Sequence, residues 1–164
     1  KNNENPNVFN PQFSGGALMD INIYNAHFII GLFGAPKSLK YVPNIASNGI
    51  DTSGILVFDY DGFLACGIGC KDSASENICQ LQGDNGYIVV HSASSICAKA
   101  KEPEVIDLNE SRGGHYFEVK NFKRMIETED YDACYKMLEY SYQVMELVHT
   151  ARLEAGVRFA ADQK

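Results

Sequence analysis

Asp20, Tyr24 and His27 stand in "GGALMDINIYNAHF", a carboxylate, a phenol and an imidazole placed just after two glycines. On an α-helix, residues three and four apart share a side, so the three groups would line one strip. The chemistry within reach is acceptance of a hydroxyl hydrogen bond by Asp20, with proton transfer through Tyr24 where a nearby cation lowers its pKa. The same pattern suits an ordinary packed helix, because Asp in an early turn complements the helix dipole and Tyr is a common core residue. Without further context that ordinary reading prevails.

The element expected to carry these side chains is a helix from Ser14 to Phe33. Ala17, Leu18, Ile21, Tyr24, Phe28 and Leu32 keep helical spacing, and further Ile and Phe between them predict burial on most sides. Ser14 is the expected N-cap and Gly34 the stop, with Pro36 just beyond. The middle of the chain changes period. "GILVFDYDGFLACGIGC" reads as two strands around an Asp61-Gly62 turn, and "NICQLQGDNGYIVVHS" repeats the plan around Gly83 to Gly86. "SLKYVPNIA" and "PEVIDL" add two more strands. After Gly114 the helical period returns in "YFEVKNFKRMIE" and in "DYDACYKMLEYSYQVMELVHTARLEAG", the latter capped by Asp130 or Asp132 and ended by Gly156.

This order predicts one α+β domain, built as an open, largely antiparallel mixed β-sheet with helices packed on one face. The other face is then available for oligomerisation, as a homodimer or larger closed assembly. Apolar strand residues around Ile55 to Phe63 or Ile88 to Val90 would contribute to it, although alternation alone does not say which face is buried.

Composition narrows the classes of function. A formal charge of -7 over 164 residues, without a lysine- or arginine-rich patch, opposes binding to nucleic acid. No apolar run is long enough to span a membrane. Cys66, Cys70, Cys79, Cys97 and Cys134 are odd in number and scattered, which predicts reduced core thiols and a cytoplasmic protein. Cys66 and Cys70, on one strand face but too far apart for a relaxed disulfide, are expected in the core. His91, His115 and His149 lack metal-ligand spacing, and no metal site is expected. No GxSxG elbow supports a serine hydrolase, and neither GxGxxG nor GxxxxGK[ST] supplies a nucleotide site. The start at Lys1, on "KNNENPN" and without methionine, reads as a piece of something longer, with removal of a tag or leader as the alternative.

"NPQFSGGALMDINIYNAHFIIGLFGAP" resembles the start of the C-terminal domain of the Gfo/Idh/MocA oxidoreductases, where a Gly-rich turn precedes a helix bearing Asp and, four residues on, His or Tyr. The Tyr form is similar to the branch containing glucose-fructose oxidoreductase and dihydrodiol dehydrogenase. "FDYDGFLACG" and "CQLQGDNGYIVV" resemble the family's sheet hairpins, "HYFEVKNFKRMIE" its following helix, and "ARLEAGVRFAAD" its terminal segment, so the likeness extends from Phe9 to Asp162.

The resemblance implies a two-domain enzyme whose N-terminal Rossmann domain binds NAD or NADP and carries the catalytic lysine. This chain would be the substrate-binding and oligomerisation domain, residues 15–164, preceded by a linker or substrate loop in residues 1–14. Alone it would be inactive, with no cofactor bound. Tyr24 matches the family's proton-transfer position and Asp20 the carboxylate that supports or binds substrate, which reverses the ordinary reading. His27, His115 and Tyr116 join Asp20 and Tyr24 as implied substrate-binding residues. The implied substrate is a sugar, a polyol or a related hydroxylated compound. Asn22, His27 and Asn7 stand where the family commonly has Gly, Asp and Arg, which leaves the particular substrate open. The alternatives are a stand-alone binding or oligomerisation module, and an NAD-recycling lyase or hydrolase of the same superfamily.

Overall fold

A computed structural model describes residues 6–91, 99–101, 105–107 and 115–163. The chain divides into two compact units, one of Lys1–Ala74 with Ser141–Lys164 and the other of Ser75–Tyr140. The architecture is α+β, and every strand pairing among the described residues is antiparallel.

In the first unit β1 (Ser38–Ile45), β2 (Asp51–Tyr60) and β3 (Phe63–Cys70) form a sheet with β2 central. Tyr60 pairs with Phe63 across the two-residue Asp61-Gly62 turn, where Gly62 takes φ +88°. The hairpin is thus the expected one, with the positive angle falling on the residue that tolerates it. Alternation in β2 buries Leu56, Phe58 and Tyr60, and their neighbours Tyr41 and Leu39 on β1 are buried with them. Each such side chain removed from water contributes about 2 kcal/mol. The opposite face exposes Val42, Ile55 and Ile68, which lie opposite one another across all three strands. Cys66 is exposed on that face, contrary to the core position expected, because its parity in β3 is that of Ile68. Cys70, Cys79 and Cys134 are partly buried, and Cys97 lies outside the described residues.

The first helix departs from expectation at its start. Ser14 is not an N-cap: it closes a 3₁₀ turn, Pro11–Phe13, in the left-handed conformation, φ 56° and ψ 35°. A π-helical turn, Leu18–Asn22, comes first and runs into α1 (Ile23–Phe33). Gly34, at φ +77°, ends α1 as predicted. Burial follows Leu18, Asn22, Ala26, Ile29 and Ile30, while Tyr24 and Leu32 are exposed, so the helix is buried on one side rather than on most. That side lies close against β3. A Cβ on Gly67 would come within 2.8 Å of Asn25 Cβ, and one on Gly69 within 3.0 Å of Asn22 Cβ, so the two glycines of "CGIGC" are what the helix needs beneath it.

In the second unit β4 (Cys79–Gly83), β5 (Gly86–Val90), β6 (Lys99–Lys101) and β7 (Val105–Asp107) form a second sheet in that order. Gly83 pairs with Gly86 as predicted, whereas β6 has no strand pattern of its own in the sequence. The predicted strands therefore fall into two sheets. Val90 is buried, which removes it from the apolar residues expected on an open face.

Helix α2 spans Tyr116–Glu127. Asp130 then caps α3 (Tyr131–Glu154), its Oδ1 accepting from Ala133 N–H at 3.1 Å. Its carboxyl is held below the usual range, first by the Arg124 hydrogen bond. The end of α3 belongs to the first unit, where Val144, Val148, Ala151 and Arg152 are buried. No helix of the described residues is long and apolar enough to cross a membrane.

Candidate functional site

The segment before the helix is folded back on itself. Asn10 Oδ1 accepts from Gln12 N–H at 2.9 Å, and Gly16 N–H donates to the Val8 carbonyl at 3.0 Å. Gly16 adopts φ +143°, and a Cβ there would collide with the Asp51 carboxylate. Glycine is thus required twice over, by backbone angle and by space.

Asp51, fully buried at the start of β2, supplies the missing helix cap. Its Oδ2 accepts from Leu18 N–H at 2.6 Å and from the Tyr41 hydroxyl at 2.6 Å. Burial, and then the Asp51 hydrogen bond and charge, push the Tyr41 phenol far above its ordinary value, so it stays protonated and donates. The Gly15-Gly16 turn leading into a helix superficially suggests a phosphate cradle. A carboxylate already occupies the helix N-terminus, so these residues do not fit a nicotinamide nucleotide's pyrophosphate.

Immediately after the cap comes the π-helical turn, closed by Ile23 N–H donating to the Leu18 carbonyl. Such widened turns recur at functional sites because they re-aim the side chains they carry. Asp20 lies in this turn with its side chain 48% exposed. Lys71, which directly follows β3, is only 5% exposed and meets Asp20 Oδ2 with its ammonium at 2.5 Å. The same ammonium lies 3.4 Å from the Val8 carbonyl and 5.0 Å from the Phe9 ring centroid. Tyr24, in the first turn of α1, projects a half-exposed phenol. His27, one turn on, is partly buried, and desolvation lowers its pKa so that the imidazole is uncharged at neutral pH.

Two asparagines anchor this stretch to the sheet. Asn22, fully buried, donates from Nδ2 to the Gly54 carbonyl at 3.1 Å and accepts at Oδ1 from Asn25, which also donates to the Ile68 carbonyl. Asp20 and Tyr24 are thereby carried on the outward side of a firmly held segment.

His115 and Tyr116 lie in the second unit. His115 precedes α2 and pairs through Nδ1 with Glu118 Oε2 at 3.0 Å, and the Tyr116 ring packs edge-on against Phe117. The "SRGG" before them lies outside the described residues. Asp20, Tyr24 and His27 share one segment; His115 and Tyr116 share another. Among the described residues no group of three or more His, Cys, Asp and Glu is disposed to hold a metal.

Sequence reasoning missed Lys71 and Asp51. They lie 51 and 33 positions from the residues they hold, and no local spacing links them. A lone charge closing the apolar, Gly-rich "ACGIGC" was the only available signal for Lys71.

No protein-family model matches the chain. It is 30% identical over 162 residues to scyllo-inositol 2-dehydrogenase (NADP(+)) IolU of Bacillus subtilis, covering 96% of this chain and 49% of that protein. It is likewise 30% identical over 164 residues to the uncharacterized oxidoreductase YgjR of Escherichia coli, with 97% and 49% covered. The chain spans about half the length of these curated relatives. Over nearly its whole length, then, it is similar to half of each of two proteins named as oxidoreductases.

Proposed function

We propose that the chain is the C-terminal substrate-binding domain of a cytoplasmic Gfo/Idh/MocA oxidoreductase that uses NAD or NADP and acts on a polyol, a sugar or a related hydroxylated compound. The observation that carries this reading is the exposed pair of Asp20 and Tyr24 on a helix start anchored by Asp51, Asn22 and Lys71. It is supported by similarity to half of a protein named for scyllo-inositol oxidation with NADP(+).

In this reading Asp20 accepts a hydrogen bond from a substrate hydroxyl and fixes the ring, while Tyr24 exchanges the proton of the reacting hydroxyl. The nicotinamide cofactor takes the hydride in oxidation or gives it in reduction, and is held by a Rossmann domain outside residues 15–164. His27, uncharged and beside the pair, adds a donor or acceptor to the substrate. His115 and Tyr116, at the start of α2, are further candidates for binding substrate. Residues 1–14 form the linker, and the apolar face of Val42, Ile55 and Ile68 joins copies of the enzyme into a homodimer or larger oligomer.

The test is product analysis on the whole enzyme. Purified protein offered scyllo-inositol, other polyols and aldoses with NAD(+) or NADP(+) should reduce the nucleotide in step with substrate oxidised. Elimination or hydrolysis with no net change in nucleotide would favour the NAD-recycling reading. Binding without turnover, in a native product lacking any nucleotide-binding domain, would favour a stand-alone module.

A further inference from the structure

We propose that Lys71 is a positioning residue for Asp20, clamping Oδ2 so that Oδ1 is presented to a substrate hydroxyl; this rests on the reading of Asp20 and Tyr24 as a polyol site. Lysine ordinarily keeps its ammonium in water and buries only its stem. The Lys71 side chain is instead 5% exposed, and its ammonium is directed at one oxygen of a carboxylate that is itself half in solvent. A surface ion pair formed for solubility would expose both partners. Here the cation is inside and the anion outside.

A lysine ammonium offers three donors and no acceptor. Two are directed at Asp20 Oδ2 and the Val8 carbonyl, and the face of Phe9 lies beside the charge. A buried ammonium needs a counter-charge, and Asp20 is the carboxylate recorded within reach of it. The two side chains therefore hold each other in place. Val8 is in turn fixed by Gly16 N–H, so the clamp is braced by the segment before the helix as well as by the end of β3.

Asp20 Oδ1 has no protein partner recorded among the described residues, and the side chain is 48% exposed. A carboxylate with one oxygen immobilised and the other open accepts a hydroxyl hydrogen bond with a restricted orientation. For a polyol, whose hydroxyls differ chiefly in direction, that orientation selects which carbinol carbon is brought up to Tyr24. Lys71 would thus act on substrate binding and orientation without touching substrate.

Steady-state kinetics of the whole enzyme with scyllo-inositol and NADP(+) test the clamp. Lys71→Met, with Lys71→Gln as a second neutral variant, should raise KM for scyllo-inositol about tenfold or more while leaving KM for NADP(+) within about twofold. Lys71→Arg, which restores charge and donors, should recover most of the loss. Lys71→Met added to Asp20→Asn should raise KM little beyond Asp20→Asn alone, because Lys71 acts only through that carboxylate. Neutral variants with wild-type KM for scyllo-inositol would overturn the clamp. If the wild-type enzyme oxidises no polyol, the reading of the site fails, and the pair is judged by thermal denaturation. Asp20→Asn and Lys71→Met should then each lower the melting temperature, the double variant melting no lower than the worse single one. Strictly additive losses would overturn the clamp on that ground.

Discussion

Asp51 caps a helix from 33 positions away, and that single carboxylate ties β2, β1 and the start of α1 together through Leu18 N–H and the Tyr41 hydroxyl. Replacing it with alanine leaves two buried donors without an acceptor, at a cost of about 3 kcal/mol. Asp51→Ala should therefore lower the melting temperature by roughly 10 °C, and a variant melting with the wild type would contradict the capping role. At this scale the sequence showed what was local. Asp20, Tyr24 and Asp130 could be placed by their spacing from neighbours on the same helix. Asp51 and Lys71 could not, because their partners are brought to them by strand pairing. Ser14 was misread for the same reason: a good capping residue in the right place lost to a stronger acceptor that only the fold supplies.

Among elements, the contact between α1 and β3 depends on absent side chains. Gly67 and Gly69 leave room for Asn22 and Asn25, whose amides then reach the Gly54 and Ile68 carbonyls. Gly67→Val would force the helix outward and strip those bonds, an overpacking cost of about 2 kcal/mol, and would carry Asp20 away from Lys71. Loss of substrate affinity along with stability is the expected outcome, read by calorimetric titration and thermal melts. Unchanged affinity would show that the helix position is not set by these glycines. The Asp61-Gly62 hairpin, α2 and α3 were all legible, since each declares itself by period and by a turn or cap within a few residues. The division of the strands into two sheets was not, because period identifies a strand but not its neighbour. The π-helical turn carrying Asp20 left no trace either, as its cause lies in how the cap and the asparagines fix the two ends of the turn.

For the whole molecule, the terminal segment is secured by Arg152, buried at the end of α3. Its guanidinium makes two bonds of 2.7 Å to Asp162, donates to the Val157 carbonyl and lies over the Phe159 ring. His149 Nδ1 lies 3.0 Å from the same guanidinium. Arg152, with the Phe159 N–H, holds the Asp162 carboxyl well below the usual carboxylate range. A depressed folded-state pKa gives stability that is complete above the unfolded value, near pH 4, and is lost as pH falls further towards the folded value. The melting temperature should therefore drop steeply below about pH 4 in the wild type. Asp162→Asn, which leaves a buried guanidinium without its counter-charge, should melt lower at neutral pH by about 3 kcal/mol equivalent and lose part of that acid dependence. Parallel pH profiles for the two proteins would contradict this.

If Asp20 and Tyr24 are one part of an oxidoreductase active site, as proposed, kcat of the whole enzyme and of its Tyr24→Phe variant with scyllo-inositol and NADP(+) reads it most directly. Tyr24 is half-exposed, so the substitution should leave the fold intact. A fall in kcat of about 100-fold or more is expected, the usual contribution of a positioned proton-transfer group. Equal turnover by the two proteins would contradict it.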